Sequence, residues 1–65
     1  MNAIKTLKTA IRANDPILLG RAVDSLRLAG FTYRECYRMA LTEMPDLTEG
    51  DWEDRMAEAD EAESK

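Results

Sequence analysis

The sequence predicts an all-α fold, a small bundle of three to four short helices that forms one domain over residues 1–65. Three observations lead to this prediction. Apolar residues recur at helical spacing, capping residues separate the apolar segments, and no segment alternates apolar and polar residues as a strand does. The predicted helices span residues 3–13, 16–29, 33–44 and 49–58.

The first two helices are predicted from their apolar stripes and from the residues between them. The stripe of the first helix consists of Ala3, Ile4, Leu7, Ala10 and Ile11. Asp15 then suits the N-cap of the second helix, and Pro16 suits its first turn, where no amide hydrogen is needed. The apolar face expected for the second helix consists of Leu18, Leu19, Ala22, Val23, Leu26 and Ala29.

The third helix follows a predicted C-cap and a capping box. Gly30 suits a left-handed C-cap, after which Phe31 packs back on Leu26 in a Schellman motif. Thr32 and Glu35 match a capping box, in which each side chain bonds to the other residue's amide. The expected buried face consists of Tyr33, Cys36, Tyr37, Ala40, Leu41 and Met44.

The fourth helix is predicted because the same entry pattern occurs again after Pro45. Thr48 is the expected N-cap with Asp51 as its box partner, while Leu47 and Trp52 occupy the hydrophobic staple positions. The apolar stripe that follows is narrow and consists of Trp52, Met56 and Ala59. Acidic residues near a helix C-terminus are disfavoured by the helix dipole. We therefore expect a frayed acidic C-terminus, with residues 59–65 forming a flexible tail.

The charge of the chain is divided at Pro45. Residues 1–44 contain seven basic and four acidic side chains, a net charge of +3, whereas residues 46–65 contain two basic and nine acidic side chains, a net charge of −7. Such an asymmetry bears on partners and on association rates rather than on chemistry.

The short length of the chain makes self-association a reasonable expectation. A chain of 65 residues is near the lower limit for folding alone, and its one cysteine cannot form an intramolecular disulfide. Ile17 and Leu28 are predicted on the polar side of the second helix, and Met39 on the polar side of the third. If these residues are contiguous, they mark a patch for a homodimer or another partner.

We expect a cytoplasmic protein that does not enter a membrane. No apolar run approaches the length of about 18 residues that spans a bilayer, and the N-terminus lacks the pattern of a signal peptide. A single cysteine fits a reducing compartment. The start at Met1 and the absence of linker-like ends indicate a complete small protein.

The sequence contains few groups that could carry chemistry. Histidine, the commonest general base and transition-metal ligand, is absent. Cys36 lies on an apolar face and is expected to be a core thiol rather than a nucleophile. The acidic residues do not match a calcium-binding loop, and the isolated glycines do not form a phosphate-binding loop. We therefore expect no enzymatic activity, no metal and no cofactor.

The main functional prediction is a non-enzymatic protein-protein interaction module, which acts as an accessory, inhibitor, regulator or adaptor. The acidic fourth helix is expected to face a basic surface of another protein, with apolar anchors for contact and carboxylates that raise the association rate. The candidate protein-binding residues are Glu49, Asp51, Trp52, Glu53 and Met56. In the alternative interpretation, Trp52 completes the core and the acidic residues are solvated or fold back on the basic half.

Two other functions involve nucleic acid. Lys5, Lys8 and Arg12 lie on one face of the first helix and are able to contact phosphates, although a solvated face explains the same pattern. Arg34 and Arg38 lie in a third helix that resembles the first helix of a helix-turn-helix, but the next helix is acidic and would repel DNA. Nucleic acid is therefore the less favoured partner. Alternatively, the acidic helix imitates nucleic-acid phosphates and blocks a nucleic-acid-binding protein.

Overall fold

The computed structural model describes residues 2–63, which contain four α-helices and no strand. Helix α1 spans Ala3–Ala13, α2 spans Pro16–Leu28, α3 spans Tyr33–Glu43 and α4 spans Glu49–Glu63. The all-α prediction is confirmed.

The predicted N-caps of α2 and α3 are confirmed. Asp15 Oδ1 accepts hydrogen bonds from two first-turn amides of α2 at 3.1 and 3.2 Å. Both halves of the capping box are formed at α3, where the amide of Glu35 donates to Thr32 Oγ1 at 3.2 Å and the amide of Thr32 donates to Glu35 Oε1 at 3.1 Å. These bonds satisfy amides that have no partner within the helix, and so they determine where each helix begins.

Two residues with positive φ end α1 and α2. Asn14, at φ 54°, is the C-cap of α1, a role that asparagine tolerates better than most residues. Gly30, at φ 105°, follows α2 and permits the predicted Schellman motif, in which the amide of Phe31 donates to the carbonyl oxygen of Leu26 at 3.0 Å. The chain is thereby turned from α2 into α3 within four residues.

The bounds of α4 differ most from the prediction. The helix continues to Glu63 instead of ending at residue 58, because Ala59 is buried where α4 packs on α2 and extends the apolar stripe by a turn. At its start the amide of Asp51 donates to Thr48 Oγ1 at 3.1 Å, but the shorter Asp side chain forms no return bond to the amide of Thr48. The flexibility expected of residues 59–65 stays a prediction, and residues 64 and 65 lie outside the described range.

The core lies around α2, which packs against α1, α3 and α4. Its buried side chains are Leu7, Ala10, Ile11, Leu19, Ala22, Val23, Leu26, Cys36, Ala40, Leu47 and Trp52. Cys36 is fully buried, so it is the core residue that its position predicted, and this burial raises the pKa of its thiol.

Three side chains are placed differently from the prediction. Tyr33 was expected in the core but is 53% exposed, because its ring lies 4.0 Å from the guanidinium of Arg27 in a cation-π contact. Ala29 is exposed because it follows the last residue of α2 as its C-cap. Met39 was expected on the polar side of the third helix but packs half-buried against the core.

Gly20 and Gly30 are expected to respond in opposite ways to replacement by alanine. At Gly30 the positive φ disfavours any side chain, so Gly30→Ala should lower the free energy of unfolding by about 1–2 kcal/mol. At Gly20, inside α2, an added Cβ would lie 3.5 Å from the Cβ of Ala59 and 2.5 Å from Oε1 of Glu63, whose long side chain can turn away. Gly20→Ala should therefore raise the free energy of unfolding by about 0.5–1 kcal/mol.

Urea denaturation of the two variants measures this difference. If Gly20→Ala lowered the free energy of unfolding as much as Gly30→Ala does, the space for a Cβ that the structure shows between α2 and α4 would be wrong.

Candidate protein-binding groove

A groove with a volume of about 580 Å³ lies between α4 and the first turns of α3, above α2. It forms because α3 and α4 each pack on α2 without packing closely against each other along their length. We call it the acidic groove. Its lining consists of Gly20, Val23 and Asp24 from α2, of Tyr33, Arg34 and Tyr37 from α3, and of Glu49, Trp52, Glu53, Met56, Ala57, Ala59, Asp60 and Glu63 from α4.

The two walls of the acidic groove are joined beside the start of α4. The hydroxyl of Tyr37 donates to the carbonyl oxygen of Leu47 at 3.0 Å, and the ring of Tyr37 lies 6.0 Å from that of Trp52 at an angle of 41°. Trp52 is only 6% exposed. It is therefore a core residue that supports the floor of the groove, and little of its surface is available to a partner.

Negative charge dominates the acidic groove. Its lining contains five carboxylates: Asp24, Glu49, Glu53, Asp60 and Glu63. Arg34 is the one basic side chain among the described residues of the lining. Within residues 2–63 none of these five carboxylates forms an ion pair with a basic side chain. The groove therefore carries charge that the fold itself does not neutralise.

Arg55, the basic residue of α4, lies outside the acidic groove. Its guanidinium donates to Asn14 Oδ1 at 2.9 Å and lies 3.9 Å from the sulfur of Met44. These contacts attach α4 to the ends of α1 and α3. Arg55 is consequently occupied in holding the helix in place and does not offset the carboxylates on the other face.

The carboxylates are most crowded around Glu63. This side chain lies over Gly20, close to the carboxyl group of Asp24. Reduced hydration at this position raises the pKa of Glu63, and the negative charges of Asp24 and Asp60 raise it further, against the opposing effect of Arg21. This part of the groove thus favours the binding of a proton or another positive charge.

The structure brings together four of the five predicted protein-binding residues. Glu49, Trp52, Glu53 and Met56 all line the acidic groove. Asp51 does not, because it lies on another face of the first turn of α4, where its charge favours the helix N-terminus.

The basic residues of the first helix do not form a row of free charges. Lys5 and Arg12 are exposed, but Lys8 is partly buried. Arg12 forms an ion pair with Glu43 of α3, and the hydrogen bond from its guanidinium lowers the pKa of that carboxyl group. Arg12, one of the three basic residues of α1 predicted to contact phosphates, is therefore already paired within the protein.

The remaining basic candidates lie on α3. Arg34 lines the acidic groove among the carboxylates, and Arg38, one turn further along α3, is exposed outside it. Arg34 thus lines a groove to which the basic residues of α1 do not belong.

The sequence analysis did not identify Asp24, Tyr33, Asp60 and Glu63 as members of the site. Helical spacing alone could have identified Asp60, which lies eleven positions after Glu49 and so on the same face of α4. Asp24 and Tyr33 belong to other helices, and no sequence signal connects them with α4.

Comparison with protein-family models, with curated proteins and with solved structures found no match for this chain. None of the helices within residues 2–63 has the length and apolar character that crossing a bilayer requires. In the same range, no group of three or more cysteine, aspartate or glutamate side chains is placed to hold a metal ion.

The contact between Asp24 and Glu63 predicts a pH-dependent loss of stability. A raised pKa means that the folded protein binds this proton more readily than the unfolded chain, so the penalty grows as the pH rises from the ordinary glutamate pKa, about 4.3, through the folded value. Glu63→Gln should therefore raise Tm at pH 7 and leave it nearly unchanged at about pH 3. Thermal unfolding followed by circular dichroism at both pH values measures the effect.

Asp24→Asn provides the control, because it removes the same repulsion from a residue inside α2. The gain of the double variant should be smaller than the sum of the two single gains. Additive gains would instead assign the effect of Glu63→Gln to the reduced hydration of Glu63 or to its position at the C-terminus of α4, and not to Asp24.

Proposed function

We propose that this chain is a non-enzymatic protein-protein interaction module of the cytoplasm, and that it binds a basic surface of another protein through the acidic groove. The observation that carries the proposal is an apolar groove surrounded by five carboxylates without an ion pair in the described structure. A basic partner would neutralise these charges, and the negative field would accelerate its approach. An accessory, inhibitory or regulatory protein acts through such a surface.

The apolar part of the groove supplies contacts that charge alone does not. Met56 is half-buried against the core, and the ring of Tyr33 is about half exposed. Side chains of this kind are frequent among the residues that dominate binding energy at interfaces. The combination favours a protein partner over a simple counter-ion.

A homodimer stays a prediction. Ile17 and Leu28 are 49% and 90% exposed, as expected. They lie eleven residues apart on α2, about 16 Å along its axis, with Arg21 and Asp24 between them on the same face. They therefore do not form one contiguous apolar patch.

Partner capture from a cell lysate with two matched double variants tests the proposed function. Glu53→Gln with Asp60→Asn removes two carboxylates from the acidic groove, whereas Asp54→Asn with Glu58→Gln removes two from exposed positions of α4 outside it. Both variants have the same net charge. The first should reduce the captured partner about tenfold, equivalent to about 1.4 kcal/mol, and the second should retain it.

The result is read by mass spectrometry of the captured proteins, after circular dichroism has shown that both variants are folded. Equal losses would mean that only the total charge of α4 matters, and unchanged capture by the groove variant would refute the proposed site.

Trp52 is unsuitable for this test. Truncating a buried Trp costs about 3–5 kcal/mol, a large part of the stability of a chain of this length.

The nucleic-acid alternative predicts that binding depends on the basic residues of α1 and not on the carboxylates of α4. Binding to a DNA or RNA duplex at about 50 mM salt, abolished by Lys5→Glu with Lys8→Glu and falling steeply with salt, would replace the proposed function by this alternative. We expect fluorescence anisotropy to show no such binding, because the carboxylates of α4 repel phosphates. If instead added nucleic acid releases the captured protein, α4 acts as a nucleic-acid mimic.

A further inference from the structure

The geometry of the acidic groove points to a more specific occupant than a basic surface. We propose that the groove receives one amphipathic α-helix of the partner protein, whose apolar stripe lies on the groove floor and whose Lys or Arg residues lie along the flank that faces α4. This inference rests on the proposed function, since it names the kind of basic segment that the groove binds.

The length of the acidic groove suits a helix of about four turns. Its lining on α4 extends from Glu49 to Glu63, fourteen positions apart and so about 21 Å along the helix axis. A volume of about 580 Å³ is enough for a row of apolar side chains, while the partner's backbone stays above the groove.

A helix satisfies its backbone hydrogen bonds internally, and an extended segment does not. Residues 2–63 contain no strand, so the groove offers no sheet edge with which an extended peptide could pair. An extended segment over the apolar floor would leave backbone groups without partners, which is costly. The surrounding structure therefore favours a helical occupant.

The carboxylates of α4 form a line that matches the spacing of charges on a helix. Glu49, Glu53 and Asp60 lie at intervals of four and seven residues along one edge of the groove. Lys or Arg residues at the same intervals on a partner helix would face them, as flanking charges do in coiled coils.

The opposite wall differs in chemistry and so distinguishes the two flanks of the partner. There α3 contributes Tyr33 and Arg34. Arg34 disfavours a second row of basic residues on that flank and favours neutral or acidic ones. The charge arrangement thus specifies a helix whose basic residues lie on one side of its apolar stripe.

The walls of the acidic groove offer side chains that can accommodate an apolar stripe. Met56 has a thioether that adapts to differently shaped neighbours, and Tyr33 is held in place by Arg27, whose guanidinium lies 4.0 Å from its ring centroid. An anchor that is already positioned loses little conformational entropy on binding.

Two peptides of about 18 residues, with the same content of Leu and Lys, test the proposal. In the first, leucines recur every three or four residues as on one face of a helix. In the second, Leu and Lys alternate, so that the apolar face requires an extended chain. Titration calorimetry at about 150 mM salt should show that the full chain binds the first peptide at least about tenfold more tightly than the second.

Matched variants locate the binding of the first peptide. Glu53→Gln with Asp60→Asn should weaken it about tenfold, whereas Asp54→Asn with Glu58→Gln should change it less than about twofold. Tyr33→Ala should also weaken it, whereas Leu28→Ala, which truncates an exposed apolar residue outside the groove, should not.

Two outcomes would overturn the proposal, and they bear differently on the proposed function. Equal affinity for the two peptides, or equal effects of the two double variants, would exclude a helix in the groove but leave an acidic module that binds basic partners. Absence of binding to either peptide at about 50 mM salt would overturn the helix proposal and the proposed function together.

Discussion

The position of α4 depends on the packing of Trp52 beneath the connection between α3 and α4. The indole is almost completely buried, and it lies beside Tyr37, whose hydroxyl bonds to the carbonyl oxygen of Leu47. Burial of about 150–250 Å² of an aromatic side chain contributes about 4–6 kcal/mol before entropy is counted. After Pro45 the large apolar residues are Leu47, Trp52 and Met56, so this contact accounts for much of the attachment of α4 to the core.

Contacts further along α4 complete its attachment. Ala59 is buried where α4 packs on α2, and Arg55 attaches the other side of α4 to Asn14. The helix is thus held by its apolar and basic residues, and Glu49, Glu53 and Asp60 line the groove without an ion pair to a basic side chain of residues 2–63. Reduced hydration, together with repulsion from Asp24 and Asp60, raises the pKa of Glu63, so the negative charge of this residue reduces stability. A basic helix bound in the groove would relieve that repulsion, so the same feature that costs stability favours binding.

Many features of the fold could be predicted because they depend on interactions within a few residues. The capping box of Thr32 and Glu35 and the Schellman motif at Gly30 are formed as expected. Predictions of burial failed where a side chain had a neighbour in another helix or at a helix end. The ring of Tyr33 is held at the surface by Arg27, and Met39 reaches the core from a position that the helical wheel had assigned to the polar side.

The candidate site, like the fold, could be predicted from the sequence only in part. Glu49, Glu53 and Met56 share a face of α4 because of helical periodicity, so the sequence alone could group them. It also placed the excess of negative charge after Pro45 and predicted the four helices, since both follow from composition and local hydrogen bonding. Only the tertiary structure decided that Asp24 and Tyr33 join this face and that Asp51 does not. The reason is physical: a groove between helices exists only once the packing of Trp52 and Ala59 has set the distance and rotation of α4 relative to α2.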